Sequence, residues 1–594
     1  MPQLRSATVR PSPIHAVPIL ALWGLALALP GPLLAAGSAN EPAANNEAAT
    51  EKLIDLGRND NHVMEVLHHF VNVIGSRLTS SHNDHVACEW AKEQFESFGL
   101  ENVVMEEAGE FPVAFHRGPW FGKLVGDDTH EEVVFEFGTP AWSAGTRGAE
   151  TGPAMVPPES TDGLDPAQYA GAWILMPSAR GRRMSREDRQ ALRETRNWLS
   201  EAGVAGFITS TRNEYIQTLG NARVTWDELP TTPNIYLRKD HFDLVMEKLD
   251  AGETPTLQFD IRNHFEKGPA KFYNVYGDLV GTEFPDEYVV VGGHIDSWDG
   301  ATGTTDNGMG SAITVEVARL LVEAGVKPRR TIRFMLWSGE EQGLLGSRAY
   351  CDQYKDLMDK TSACLVYDGG PNPVTSLPTT KAMHGQMEQA FRHVIGLNPD
   401  LPFELKQQEG GLPRGAGSDH ASFLRHGVPG FFWDQEGPLD TWHGIHTQYD
   451  TYDLAIPEYA EHSTLVVALA ALGIADLDAL LDRTGMSDPG ARRGGGGRRM
   501  GVFLDDLIVQ GVVPDSPAAT AGVQEGDVIV KIDGQELEGR RALGPALRAG
   551  DPIKPLVVKR GEKLVELKLV WQDEVDALEK EKKEGAAKKE KIVL

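Results

Sequence analysis

Two spacings of apolar residues divide the chain. Apolar positions three and four apart run through Leu53 to Ile74 and again through Val86 to Phe98, where Gly99 stops them, which predicts an N-terminal helical layer. The polar stretch ahead of it, Asn40 to Ala49, reads as a linker. Between about His116 and Pro269 the texture changes to short apolar runs, Trp173–Met176, Val204–Thr209 and Asn234–Leu237, parted by Gly- and Pro-rich turns. This predicts a small inserted domain with a helix around His241–Leu249. From Lys271 predicted strands and helices alternate: Tyr288–Val291, Gly310–Ala324, Thr331–Trp337, Leu344 onward, then Ala363–Tyr367. That alternation is an α/β sheet, closed by an apolar helix from Pro457 to Leu481. In open sheets of this kind ligands bind beyond the carboxyl ends of the strands.

After the run Gly494–Gly497, with its flanking arginines, comes a flexible linker's end and a new set of short strands from Met500. From Glu574 the sequence is Lys/Glu-rich with little to bury, hence a solvated tail. At the other end, Arg5 and Arg10 precede an apolar run from Val17 to Leu29, then Pro30, Gly31 and small residues through Ala39. The pattern is that of a secretory signal, and the run is short of the ~20 residues a membrane span needs. It predicts a secreted or periplasmic protein with no stable membrane span after cleavage.

Composition narrows the picture in three ways. At 594 residues the chain exceeds what one core of roughly 250–300 residues supports, so several domains are expected. A net charge of -29 opposes phosphate backbones and excludes nucleic acid as a partner. Three cysteines, Cys88, Cys351 and Cys364, make neither a disulfide scaffold nor a thiolate metal cluster, and leave a Cys351–Cys364 bridge open.

The candidate chemistry lies at predicted strand ends. His294 and Asp296 follow the first α/β strand in Gly292-Gly293-His294-Ile295-Asp296. Alone, His294 could be a hydrogen-bonded structural residue, with Asp296 holding its ring. Asp306 stands just before a helix, where an N-cap is the plain alternative. Glu340 and Glu341 follow the next strand; adjacent carboxylates usually sit in a solvated loop, yet a water-activating metal site needs one as ligand and one to take the proton. Asp368 ends another strand, and Gly444-Ile445-His446-Thr447 offers an imidazole with Asp450 nearby. Two histidines and three carboxylates from one sheet suit zinc's nitrogen and oxygen ligands.

These segments resemble M28-type metallopeptidases, in particular members carrying a protease-associated insertion such as glutamate carboxypeptidase II. The likeness rests on Gly-Gly-His294-Ile-Asp296-Ser-Trp, Asp306-Asn-Gly, Trp337-Ser-Gly-Glu340-Glu341-Gln-Gly-Leu-Leu-Gly-Ser347 and His446-Thr-Gln-Tyr-Asp450-Thr. The resemblance implies two zinc ions per chain, with Asp306 bridging, His294 and Asp368 completing one site, and Glu341 and His446 the other. It implies Glu340 as general base and Asp296 as partner of His294. Glu201–Ile208 resembles part of a protease-associated domain, and Met500–Phe503 with Gly526–Ile529 resembles a bacterial PDZ domain that takes a C-terminal peptide.

The expected organisation is therefore a signal peptide (1–39), a mixed-sheet α/β zinc exopeptidase domain (50–115 and 270–482), a protease-associated β-rich insertion (116–269), a linker (483–499), a PDZ domain (500–573) and a charged tail (574–594). The expected activity is hydrolysis of terminal peptide bonds, as an aminopeptidase, with a carboxypeptidase or dipeptidase as the alternative. A non-catalytic binding protein and a glutaminyl-cyclase-like acyltransferase are the rivals from other classes. Tyr449 is a candidate for holding the oxyanion, against packing beside Tyr452. Gly417–His420 resembles a loop near the substrate, against a helix start capped by Ser418. Arg414 is a candidate substrate contact, and His68, His69 and His443 read as unrelated histidines.

Overall fold

The computed structural model describes residues 41–126, 131–176, 186–408, 411–412, 417–486, 500–505, 507–512, 516–537, 539–548 and 551–571. The signal segment, Arg414, most of the linker and the charged tail lie outside these.

The central sheet has strands β1 (Glu101–His116), β2 (His264–Leu279), β3 (Phe284–His294), β4 (Arg330–Trp337), β5 (Thr361–Val366) and β6 (Gly430–Phe432), in the spatial order β1-β2-β4-β3-β5-β6. The four strands β4, β3, β5 and β6 run parallel; β1 and β2 are antiparallel additions at one edge. β4 and β5 are buried at every residue, as parallel strands covered on both faces must be. One face is covered by helices α1 (Glu41–Asn59), α2 (His82–Ser97), α3 (Met309–Ala324) and α4 (Pro457–Ala475), whose apolar residues join β3 and β4 in the largest core. The other face is covered by the helix Leu345–Gln353 and the short helix His420–Arg425.

α4 packs closely enough that a side chain on Gly473 has no room: a Cβ there would stand 1.9 Å from the carbonyl oxygen of Ala390. Gly473→Ala is accordingly expected to cost about 1–3 kcal/mol of stability, read as a lower urea midpoint.

Two expectations need correction. Residues 41–49 are not a linker but the start of α1. The polar side chain of Asn46 is spent on tertiary contacts, donating to the carbonyl of Lys327 (2.9 Å) and to Asp476 (2.8 Å). The helical pattern from Leu53 to Ile74 is also broken, at 60–62, where Asn61 accepts from the Val63 N–H (3.1 Å) and the His62 N–H donates to buried Glu316 (2.8 Å). Cys351 and Cys364 are free, buried thiols that pack as small apolar residues around Phe423.

β1 and β2 are long enough to leave the sheet as a two-stranded ribbon, paired from Glu101↔Asp278 to His116↔His264. The insertion hangs from the ribbon's far end. Its eight-stranded sheet has a parallel centre, Trp173–Met176, Gly206–Ser210 and Asn234–Leu237, with antiparallel flanks and buried Trp173 and Phe259 in its core. The predicted strands are found within two residues, and the helix spans Lys239–Asp250. The C-terminal unit is a separate sheet whose edge strand, Val502–Asp505, pairs on one side only among the described residues. Its turn at Gly526 is held by buried Asp527, which accepts two hydrogen bonds from Arg560 (both 2.7 Å).

Candidate metal centre

Register places the chemistry. β3 lies between β4 and β5, with His294 opposite Trp337 and the Tyr367 N–H bonded to the Gly292 carbonyl (2.9 Å). His294, the Glu340–Glu341 pair and Asp368 therefore emerge from three neighbouring parallel strands at the same end. Gly292 and Gly293 are required here: a Cβ would approach the Met335 and Tyr367 carbonyls within 2.4 and 2.7 Å.

The other two candidates reach this end on connections. Asp306 lies in the segment Thr304–Gly308, with non-helical φ −134° and ψ 88°, and is not an N-cap, since α3 starts beyond Gly308. The Asp306–Asn307 peptide is cis. Asp450 secures this segment by accepting from the N–H groups of Thr305 (2.6 Å) and Asp306 (3.1 Å). His446, four residues before Asp450, has φ +60°, a left-handed conformation that a non-glycine residue adopts only when its surroundings hold it there.

The five predicted ligands converge. His294 Nε2 is 3.1 Å from Asp306 Oδ1 and 3.3 Å from Asp368 Oδ1. His446 Nε2 is 2.8 Å from Asp306 Oδ2 and 3.2 Å from Glu341 Oε2. The two oxygens of Asp306 thus serve different histidines, and two three-residue groups, each with ligand atoms within 4.8 Å of one another, share that carboxylate. Asp296 stands behind His294, but its nearest atom to His294 Nδ1 is its carbonyl (2.9 Å), the carboxylate being 3.5 Å away. That carboxylate accepts instead from Thr79 (2.6 Å) and from the Glu340 N–H (3.2 Å).

The site is rich in negative charge. Burial raises the Glu340 carboxyl well above the usual range, opposed by His294 and reinforced by Asp368 and Glu341. Burial likewise pushes Glu341 up to about 8, with Asp306 adding to it. The imidazole of His446 is disfavoured as a cation by burial but is driven up to about 11 by its bonds to Asp306 and Glu341. Among the described residues, Glu341 Oε1 is buried with no hydrogen-bond partner.

Some expectations differ from what the structure places here. Tyr449 does not pack on Tyr452; it stacks on His443 (4.6 Å between ring centroids, 6° between planes), and Tyr215 of the insertion meets both rings edge-on. His443 is thus part of the loop's packing and not an unrelated residue, and His69 stacks on Trp90 (4.2 Å). Among the described residues the Ser418 hydroxyl caps nothing and is buried without a partner.

The sequence reading missed Arg77. It is fully buried, and its guanidinium donates to the carbonyls of Ile295 (2.7 Å), Gly75, Thr302 and Gly303 (each 2.9 Å). It ties together the segments that follow His294 and precede Asp306. Only its position between two helices could have marked it, and a lone arginine there reads as solvated.

A shared carboxylate between two nitrogen–oxygen clusters, at the carboxyl end of a mostly parallel sheet, is the donor set of a metallohydrolase. Comparison with known families agrees: residues 274–471 match peptidase family M28 and residues 494–560 match the PDZ domain. The chain carries an M28 peptidase domain followed by a PDZ domain, and with the first the class of metallo-exopeptidases. It is 25% identical over 461 residues to mouse carboxypeptidase Q, covering 75% of this chain and 93% of that protein. It is 35% identical over 200 residues to leupeptin-inactivating enzyme 1 of Streptomyces exfoliatus, covering 32% of this chain and 41% of that one. The fold is similar to that of a peptidase M28 precursor from Shewanella amazonensis, with a TM-score of 0.54 at 21% identity over 74% of this chain and 99% of that chain.

Proposed function

We propose that this M28 domain is a two-zinc exopeptidase in which His294 and Asp368 would hold one ion, Glu341 and His446 the other, and Asp306 would serve both. The observation that carries this is the division of Asp306 between the two histidines at 3.1 and 2.8 Å. Nitrogen and carboxylate donors without thiolate suit zinc, and the unpaired Glu341 oxygen and clustered carboxylates need positive charge to balance them. Zinc bound here would polarise the scissile carbonyl and bring the pKa of water towards neutrality.

The chain's own residues do the rest. Glu340 takes the proton of the attacking water and returns it to the leaving nitrogen. Burial suits it to that task by making its carboxylate a stronger base than an exposed one. Asp296 steadies both partners, through its carbonyl at His294 and its carboxylate at the Glu340 N–H.

The terminal residue removed is an N-terminal one. The cavity beside the cluster is lined by Trp298, Asp306, Glu341, His446 and Asp450, and its described lining offers no lysine or arginine for a free carboxylate. A second reading, a carboxypeptidase or dipeptidase, is favoured by the likeness to carboxypeptidase Q along three quarters of the chain. Identifying the residue released from peptides blocked at one end or the other separates the two. We assign the insertion to the protease-associated type. The open edge of Val502–Asp505 suits the PDZ domain to adding the C-terminal strand of a peptide ligand.

Dialysis against a chelator is expected to abolish hydrolysis and to lower the melting temperature, because each ion at 100 times its Kd adds about 2.7 kcal/mol to the folded state. Zinc should restore both. Hydrolysis that persists in zinc-free protein would refute the proposal.

A further inference from the structure

We propose that Gln448 is a positioning residue through which the inserted domain sets the geometry of His446. The proposal rests on His446 being a zinc ligand.

The segment from His446 to Asp450 is anchored in two directions. On one side Asp450 grips the Thr305–Asp306 backbone. On the other, Gln448 is taken up entirely by the insertion. Its Oε1 accepts from the Ile216 N–H (2.7 Å), and its Nε2 donates to Glu136 Oε1 (2.9 Å) and to the Glu214 carbonyl (2.9 Å). Its backbone N–H adds a bond to the Ile216 carbonyl (3.2 Å). The side-chain amide thus uses its acceptor and both donors on one partner surface, leaving it a single orientation.

The receiving surface is itself braced. Glu136 Oε2 pairs with Arg238, and the Glu136 N–H donates to His241 Nδ1 (3.1 Å). Both partners belong to the start of the insertion's helix Lys239–Asp250. Tyr215, next to Ile216, closes edge-on over the stacked pair His443 and Tyr449 that flanks His446 in sequence. The left-handed backbone of His446 is therefore followed, two and four residues on, by two fixed points, Gln448 against the insertion and Asp450 against the Thr305–Asp306 backbone. Without the Gln448 anchor that conformation loses one of its restraints, and the imidazole is no longer held against Asp306 and Glu341.

The test is a zinc titration of metal-free full-length protein against a competing chelator, with peptide hydrolysis followed at limiting and at excess zinc. Gln448→Ala should weaken one of the two binding steps by about tenfold, the lower end of what is lost when a residue supporting a metal ligand is removed. Its kcat should fall at limiting zinc and recover in excess zinc, with KM unchanged. Gln448→Glu faces a second carboxylate with Glu136 and should show the same loss. Adding Glu136→Gln to it returns a donor to that contact and should restore most of the affinity, which a general loss of stability would not do. Wild-type affinity in Gln448→Ala, or no rescue in the double variant, would overturn the proposal. A wild-type protein that binds fewer than two zinc ions would instead refute the site assignment on which it stands.

Discussion

Replacing Glu340 by glutamine is expected to lower kcat by roughly 10²–10⁴-fold while the protein keeps its full complement of zinc. Glutamine matches glutamate in size, and the contact that fixes this position, the backbone N–H to Asp296 at 3.2 Å, does not involve the replaced group. What disappears is the ability to take a proton. KM should change little, because the loss falls on the reaction and not on substrate binding. The neighbouring substitution separates the two roles: Glu341→Gln weakens a ligand whose Oε2 stands 3.2 Å from His446 Nε2, so zinc content should fall together with activity. Activity retained in Glu340→Gln, or zinc lost from it, would contradict the division of labour between the adjacent carboxylates.

The second large effect is expected at Arg77, which touches no candidate ligand side chain. Methionine in its place reaches nearly as far but donates nothing, so the interior carbonyls of Gly75, Ile295 and Thr302 lose this donor and that of Gly303 keeps only the Gly308 N–H (2.8 Å). An unpaired buried polar group costs about 1–3 kcal/mol, so even partial relaxation leaves a loss of at least ~3 kcal/mol in urea unfolding of the zinc-free protein. Because these carbonyls flank His294 and Asp306, zinc affinity should drop as well. Lysine keeps the charge but concentrates its donors at one point, so Arg77→Lys should recover only part of the loss. Burial lowers the Arg77 pKa only to about 10, which leaves the guanidinium charged at neutral pH. A stability change below ~1 kcal/mol in Arg77→Met would show that these bonds do not secure the two segments.

The parts of the fold that could be read from sequence are those where the apolar pattern is continuous. β4 and β5 are buried along their whole length, and their second halves, Phe334–Trp337 and Ala363–Val366, are apolar runs that end just before the candidate ligands. His294, Glu340, Glu341 and Asp368 are the first histidine or carboxylate residues after such runs. Asp306 and His446 lie on irregular connections, and their place came from resemblance to a family. The structure brings all five candidate ligands together. What stayed hidden depends on contacts distant in sequence. Residues 41–49 look like a polar linker because Asn46 finds its partners at Lys327 and Asp476. The turn after β3 sets the Asp296 carbonyl 2.9 Å and its carboxylate 3.5 Å from His294 Nδ1, a division the sequence does not show. Gln448 is an ordinary polar residue until the insertion folds back against it.

The measurement closest to the central claim is anomalous diffraction at the zinc edge from crystals of the protein prepared with zinc. The account predicts two peaks on either side of the Asp306 carboxylate, one within reach of His294 and Asp368 and the other within reach of Glu341 and His446. A single peak, or peaks that do not share Asp306, would contradict it.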